Sequence, residues 1–225
     1  MKTHEAYPIP DQVWPSDNNF GIPTLDINMQ ASRLDMPFFQ YDDIKKVSNT
    51  IGTLAFYTSD RNFIKLWTDP YKIITTGFIN IVEPNFSTNE QMPLALVLSR
   101  IYMKRWVARY WQSHGIKILV DLNVGSNCHD YNLLGVPPKW KAYATRGYAA
   151  RPEIIFEQYR IASKHAQSDN ILFIVYGGGY SCQKIAQSIG AIWIIDKMHY
   201  LTYARRGKDM AQYADQHNYI KVPQL

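Results

Sequence analysis

Residues 92–121, MPLALVLSRIYMKRWVARYWQSHGIKILVD, constrain the fold more tightly than any other stretch of this chain. A long helical pattern dense in aromatics and arginine passes through Gly115 straight into an apolar run of strand length. A helix turned sharply into a buried strand is half of a βαβ unit. The same joint recurs along the chain. Strand-like runs stand at 53–59, 78–82, 116–122, 141–145, 171–176 and 191–196. Each is β-branched or aromatic, the composition of a strand covered on both faces. Helical patterns fill the gaps at 60–75, 92–114, 152–167 and 181–189. Pro152, Glu153 and Glu157 open the third, and Arg160, Lys164 and His165 close it, an order that suits the helix dipole. Asp60 reads as the cap of the first helix; Ser181 reads as the cap of the fourth, with Gly190 as its stop.

Strands alternating with helices over short connections imply right-handed crossovers and a parallel sheet. The expected architecture is α/β, a small or incomplete TIM-like barrel, with an open doubly wound parallel sheet as the alternative. The barrel is preferred because polar residues recur at the strand ends, where parallel α/β folds place their sites. A run at Thr24–Ile27 is a candidate seventh strand. Residues 1–50, interrupted by Pro8, Pro10, Pro15, Pro23 and Pro37, read as an irregular segment packed on the main domain, with one short helix over Tyr41–Thr50. Residues 51–225 read as a single α/β domain with a basic tail. Section 123–140 reads as a long loop, since Gly135, Pro137 and Pro138 oppose a helix there.

A chain of 225 residues, 46% hydrophobic and 14% aromatic, buries a full core and excludes disorder. The net charge of +5 permits a polyanionic partner without demanding one. Cys128 and Cys182 have no CxxC spacing and imply no disulfide framework. The start, MKTHEAYPIPDQ, lacks an apolar signal core, and no run approaches the roughly 18 apolar residues of a membrane span. The expected setting is the cytoplasm, the host's if the chain is phage-encoded, with no membrane partner. The sequence specifies no cofactor and no oligomeric state.

Three groups of residues carry candidate chemistry. The strand ends supply Asp60, Glu83, Asp121, Arg146 and Asp196, which converge at one mouth in a barrel. Glu83, Asp121 and Asp196 are the candidate catalytic set, because carboxylates whose pKa values are driven apart by burial divide acid, base and nucleophile roles. The alternative is that such acids cap helices and accept backbone N–H groups. Second, Gly177, Gly178, Gly179 and Ser181 join a strand to a helix start and, with Arg146, form a candidate anion site. They lack the ending of a P-loop and the spacing of a dinucleotide fingerprint, and a tight turn explains them equally. Third, Arg100, Lys104, Arg105 and Arg109 on helix 92–114, with Arg205, Arg206 and Lys208 in the tail, are candidate nucleic-acid contacts. The competing reading is that Arg105 and Arg109 make internal ion pairs with their stems on aromatics. No HExxH and no His-apolar-His pair occurs among the six histidines, and the cluster Cys128-His129-Asp130 reads as surface chemistry.

The residues also carry a resemblance. Glu83-Pro84-Asn85-Phe86-Ser87, Met92-Pro93, Tyr102-x-x-Arg105-Trp106 and Tyr110-Trp111-Gln112-x-x-Gly115-Ile116-Lys117 form a specific central block. Phe20-Gly21-Ile22-Pro23, Gly135-Val136-Pro137, Thr145-Arg146-Gly147 and Tyr176-Gly177 follow in matching order. Over residues 20–195 this is similar to domain of unknown function 4417, a family of phages and mobile elements, and departs from it at NVGSNCHDYN after Asp121. The resemblance implies a phage-like setting and no particular reaction.

Two functions follow as expectations. One is a barrel enzyme acting on a nucleotide, nucleobase or sugar-phosphate ligand by carboxylate chemistry. The strand order loosely resembles barrel transglycosylases, with Asp196 in the late nucleophile-like position, an analogy of fold alone. The other is a non-catalytic nucleic-acid-binding or regulatory protein of a mobile element.

Overall fold

A computed structural model describes residues 13–46, 51–207 and 213. In chain order the strands are β1 (Phe38–Gln40), β2 (Thr53–Ala55), β3 (Asn80–Val82), β4 (Lys117–Asp121), β5 (Ala142–Arg146), β6 (Leu172–Tyr176) and β7 (Ile192–Ile194). The helices are α1 (Asp60–Phe63), α2 (Tyr71–Ile74), α3 (Leu94–Ser113), α4 (His129–Asn132), α5 (Ile154–Ala166), α6 (Gly179–Ser188) and α7 (Lys197–Arg205). All seven strands are parallel neighbours in sequence order. A doubly wound sheet reverses its strand order at a switch point; this one never reverses. It curls instead. The Tyr176 ring from β6 stacks on Phe38 of β1 at 5.7 Å and on Tyr57, just past β2, at 5.5 Å. The result is a nearly closed TIM-like barrel with its helices outside.

The six expected strands are all present. The seventh is not Thr24–Ile27, where Asp26 caps a 3-10 turn at Ile27–Met29, but Phe38–Gln40. The expected helix 60–75 is divided into α1, a 3-10 turn at Ile64–Trp67, and α2, which starts after Pro70. Pro70 has no N–H to continue a helix through that point. Section 123–140 contains a 3-10 turn at Ser126–Cys128 and the single turn α4. Of the expected helix 41–50, residues Tyr41–Lys46 form a 3-10 helix and 47–50 lie outside the described residues. No helix among the described residues is long and apolar enough to cross a membrane.

Register determines which side chains fill the barrel, since side chains alternate between faces. Phe38, Ala55, Tyr57, Val82, Leu119, Asp121, Ala144, Arg146, Ile174 and Tyr176 share the inner side. Bulky rings from β1, from just past β2 and from β6 oppose alanines from β5, so the interior is filled rather than hollow. The outer side meets the helices. Phe56 lies against Tyr41, Phe63 and Trp111 at ring separations of 5.4, 5.4 and 5.7 Å.

Helix α3 is covered on several sides, which accounts for apolar residues in nearly every direction around it. Trp111 faces Phe56 and donates to the Pro70 carbonyl at 3.0 Å. Gln112 exchanges hydrogen bonds with the Asp26 backbone at 2.8 and 3.0 Å, tying the N-terminal segment to the helix.

Phe56 has no solvent exposure and touches rings from three separate elements. Phe56→Ala is expected to cost about 3–5 kcal/mol. A urea-unfolding midpoint lowered accordingly, at unchanged slope, is the measurement.

Candidate functional site

The strand C-terminal ends meet at a mouth where β3 and β4 diverge beyond their last pair. β3 and β4 pair through Asn80–Val82 and Lys117–Leu119, while β4 pairs with β5 through Val120 and Asp121. Where β3 and β4 part, the Asp121 N–H donates to the Glu83 side chain at 3.2 Å. The other Glu83 oxygen pairs with the Arg105 guanidinium from α3. Arg105 also donates to the carbonyls of Leu134 at 3.1 Å and Asn132 at 2.6 Å. Lys104 donates to the Asp121 carbonyl at 3.0 Å and lies 3.4 Å from its carboxylate. Glu83, Asp121 and Arg105 have 0% exposure and Lys104 has 1%, so water screens none of these charges. Two acids balanced by two bases make this burial tolerable.

Asp121 turns into the barrel. Its carboxylate accepts from the Tyr57 hydroxyl at 3.2 Å and from the Asn123 N–H at 3.1 Å. Burial raises the pKa of Asp121 against the pull of Lys104, and burial lowers that of Lys104 against the pull of Asp121. Burial and the adjacent Asp121 charge push the Tyr57 phenol well above its ordinary value, so it stays protonated and donates.

The structure therefore brings Glu83 and Asp121 together and leaves Asp196 apart, three strands further round the sheet. Asp196 is the N-cap of α7, accepting from His199 N at 2.9 Å and pairing with His199 Nδ1 at 2.6 Å. Asp60 is a first-turn residue of α1 rather than its cap. Its carboxylate accepts from the Ser87 backbone and hydroxyl at 3.0 and 2.8 Å, joining two mouth loops.

Gly177, Gly178 and Gly179 have φ of 77°, 76° and 67°. Packing demands the glycine at 178, where a Cβ would stand 2.7 Å from the Gly147 carbonyl carbon and run into Cys182. The Asp196 carboxylate backs Gly177 and the His199 ring backs Gly179. The N-cap of α6 is Gly178, not Ser181, and no side-chain cap bond is made there.

Of the basic residues on α3, Lys104 and Arg105 turn inward, and Arg109 lies over the Trp14 ring at 4.7 Å. Arg100 is half-buried. Arg205 and Arg206 are exposed at the end of α7, and Lys208 lies outside the described residues.

Above this scaffold a cleft of about 200 Å³ opens among the loops that follow β3, β4 and β5. Its lining includes Arg146, Tyr148 and Arg151 after β5, Asn85, Ser87 and Glu90 after β3, and Asn123 and His129 after β4. Arg146 is exposed and lies 5.5 Å from the Tyr148 ring, whose hydroxyl donates to Asn123 at 3.1 Å. Asn85 and His129 are 7% and 6% exposed, and the buried atoms Asn85 Oδ1 and His129 Nδ1 have no hydrogen-bond partner. A buried polar atom without a partner carries its full desolvation cost. The sequence pointed to Arg146 by its place at a strand end. It placed His129 in surface chemistry, whereas Cys128 and His129 are both buried. Asn85 and Tyr148 are neutral polar residues on loops and carry no comparable signal. Among the described residues, no cluster of three or more His, Cys, Asp or Glu is placed to hold a metal.

A family model described as "Domain of unknown function (DUF4417)" matches residues 14–183. The "Gene 1 protein" of Mycobacterium phage D29 is 29% identical over 116 residues, covering 51% of this chain and 38% of that protein. The "Gene 1 protein" of Mycobacterium phage L5 is 33% identical over 70 residues, covering 30% of this chain and 31% of that protein. The matched part of this chain thus spans about a third of the length of these curated relatives. No solved structure matches the chain.

Removing one member of the buried charge set strands the others. Arg105→Met is expected to cost about 3–5 kcal/mol, with part of that loss recovered in the double variant Glu83→Gln/Arg105→Met. Urea unfolding of the single and double variants measures the coupling.

Burial lowers the pKa of His129 and of His165 below the ordinary 6.5. The unfolded chain then binds protons at a higher pH than the folded one, so stability rises with pH across that window and falls on acidification. Unfolding free energy should therefore decline from about pH 7 towards about pH 5, and His129→Gln should flatten part of the slope.

Proposed function

The chain belongs to the DUF4417 family, which is phage-associated, and we propose that it is a barrel enzyme acting on a compact phosphorylated ligand of the nucleotide or sugar-phosphate class. The observation that carries this reading is the mouth cleft, where two exposed arginines stand with the unpaired buried atoms of Asn85 and His129. Guanidinium groups bind phosphate oxygens through charge-assisted, often bidentate hydrogen bonds. Arg146 and Arg151 take that role here. Of the three candidate acids, this reading assigns proton transfer to Asp121, whose carboxylate is held by the Tyr57 hydroxyl; neither residue lines the cleft, so a reacting ligand has to reach past the lining to meet it. Asp121 is the one carboxylate of the three that turns into the barrel, and Tyr57 feels the charge of Arg146. Glu83 is committed to Arg105, and Asp196 to the start of α7.

A nucleic-acid-binding role through α3 draws less support. Lys104 and Arg105 are spent inside the protein, which leaves the half-buried Arg100 and Arg109, the latter over the Trp14 ring.

Titrating inorganic phosphate into the labelled protein tests the reading by amide chemical shifts. Shifts are expected to concentrate at residues 85–90, 123–129 and 146–151. Arg146→Ala should weaken the binding about tenfold or more. No shifts in these three loops would remove the mouth as an anion site, and equal shifts in both proteins would remove Arg146 from it.

A further inference from the structure

We propose that the mouth cleft is built for a phosphorylated sugar whose hydroxyl groups, rather than a nucleobase, supply the recognition. This rests on the reading of the cleft as an anion site and specifies what the anion is attached to.

The first argument is charge. Arg146 and Arg151 contribute two positive charges to the lining, and Glu90 contributes one negative charge. Hydrogen bonds from the Ser126 backbone and hydroxyl, at 3.1 and 3.3 Å, hold Glu90 ionised and keep its pKa below the ordinary value. His129 is neutral near pH 7 because burial lowers its pKa. The lining therefore carries a small positive excess, suited to one phosphate group and poorly matched to a polyphosphate chain.

The second argument concerns the unpaired atoms. Asn85 Oδ1 is an acceptor, and His129 Nδ1 in its acceptor tautomer is another; both side chains line the cleft while the two atoms themselves are buried, so a side-chain rotation turns them to a ligand. An ionised phosphate has acceptor oxygens and satisfies the arginines, but it has little to donate to Asn85. Hydroxyl groups donate. A ligand that answers both halves of the cleft carries a phosphate and several O–H groups on one small frame.

The third argument is shape and lining. At about 200 Å³ the cleft is smaller than the roughly 300–1,000 Å³ usual for larger ligands. Its aliphatic lining is limited to Val124 and Ile154. A nucleobase is held by stacking on aromatic faces. The one phenol ring here, Tyr148, already has the Arg146 guanidinium 5.5 Å from its centre and its hydroxyl tied to Asn123. The remaining walls are carboxamide, hydroxyl and charged groups, which suit a polyhydroxylated ligand.

The test compares four probes against the full chain by calorimetry: inorganic phosphate, ribose, ribose 5-phosphate and adenosine 5′-monophosphate. Ribose 5-phosphate is expected to bind about tenfold more tightly than inorganic phosphate, and ribose alone only weakly. Adenosine 5′-monophosphate should gain nothing over ribose 5-phosphate. Asn85→Ala, and independently His129→Gln, should bring ribose 5-phosphate down towards the affinity of inorganic phosphate. Equal affinity for ribose 5-phosphate and inorganic phosphate overturns the sugar inference and leaves the anion site standing. Tighter binding of adenosine 5′-monophosphate overturns it in favour of a base. Failure of all four probes to bind overturns both readings. The wild-type ratios decide these outcomes even if neither variant folds.

Discussion

Where β3 and β4 separate, a backbone N–H loses its place in the ladder and a side chain takes over. The Glu83 carboxylate accepts the Asp121 N–H, and the Arg105 guanidinium holds that carboxylate in place. Much at the mouth follows from this substitution. The same guanidinium binds the carbonyls of Asn132 and Leu134, so α3 fixes the α4 turn that carries His129. The amide of Asn132 returns to the Asp121 carbonyl at 2.9 Å, beside the Lys104 ammonium. A gap in a parallel sheet would leave donors and acceptors unsatisfied in a dry interior. Here the gap is closed by four charges whose hydrogen bonds join strand, helix and loop. The Asp121 carboxylate can then face inward towards Tyr57 instead of capping the next helix.

The cleft above inherits its rigidity unevenly. On the late side of the mouth, the beginnings of α6 and α7 press against one another through Gly177, Gly179, Asp196 and His199. On the early side, the β3–α3 loop is tied to the β4–α4 loop through Glu90 and Ser126 and to α1 through Ser87 and Asp60. Arg146 and Arg151 stand between these two sides with their guanidinium groups accessible. A preorganised frame with exposed cationic arms favours capture of an anion, because the polar groups behind the arms are already in position.

The repeating architecture was legible because buried parallel strands are short apolar runs and the intervening helices have clear ends. β1 escaped notice because Phe38–Gln40 is brief, follows Pro37 directly and lies in a proline-rich segment. Its strand identity comes from pairing with β2, a contact that local composition does not record. The division of 60–75 was marked by Pro70, but its apolar periodicity ran through the break. Arg146 was found because a strand end is a geometric landmark. Lys104 gave the opposite signal to its real position, since cations on a helix ordinarily face water, whereas the reading of Arg105 as an internal ion pair agrees with its contact to Glu83. Only their partners, Glu83 and Asp121, explain their burial, and those lie 22 and 17 residues away along the chain. Asn85 and His129 were hidden for a different reason: a polar side chain in a section read as loop looks the same in sequence whether solvated or buried beside a cleft.

The closure of the β3–β4 gap has a consequence for inheritance. Glu83 and Arg105 form one unit spread over two codons, and Lys104 with Asp121 forms another beside it. A change at one position alone leaves its partner's charge buried and unmatched, while a joint replacement by neutral residues of similar volume removes the need for the charges altogether. These positions are therefore coupled characters: a lineage drifting at one is pressed either to revert or to alter its partner as well. In any set of descendants the two pairs should change together, while the polar residues around the cleft vary with the ligand each descendant takes.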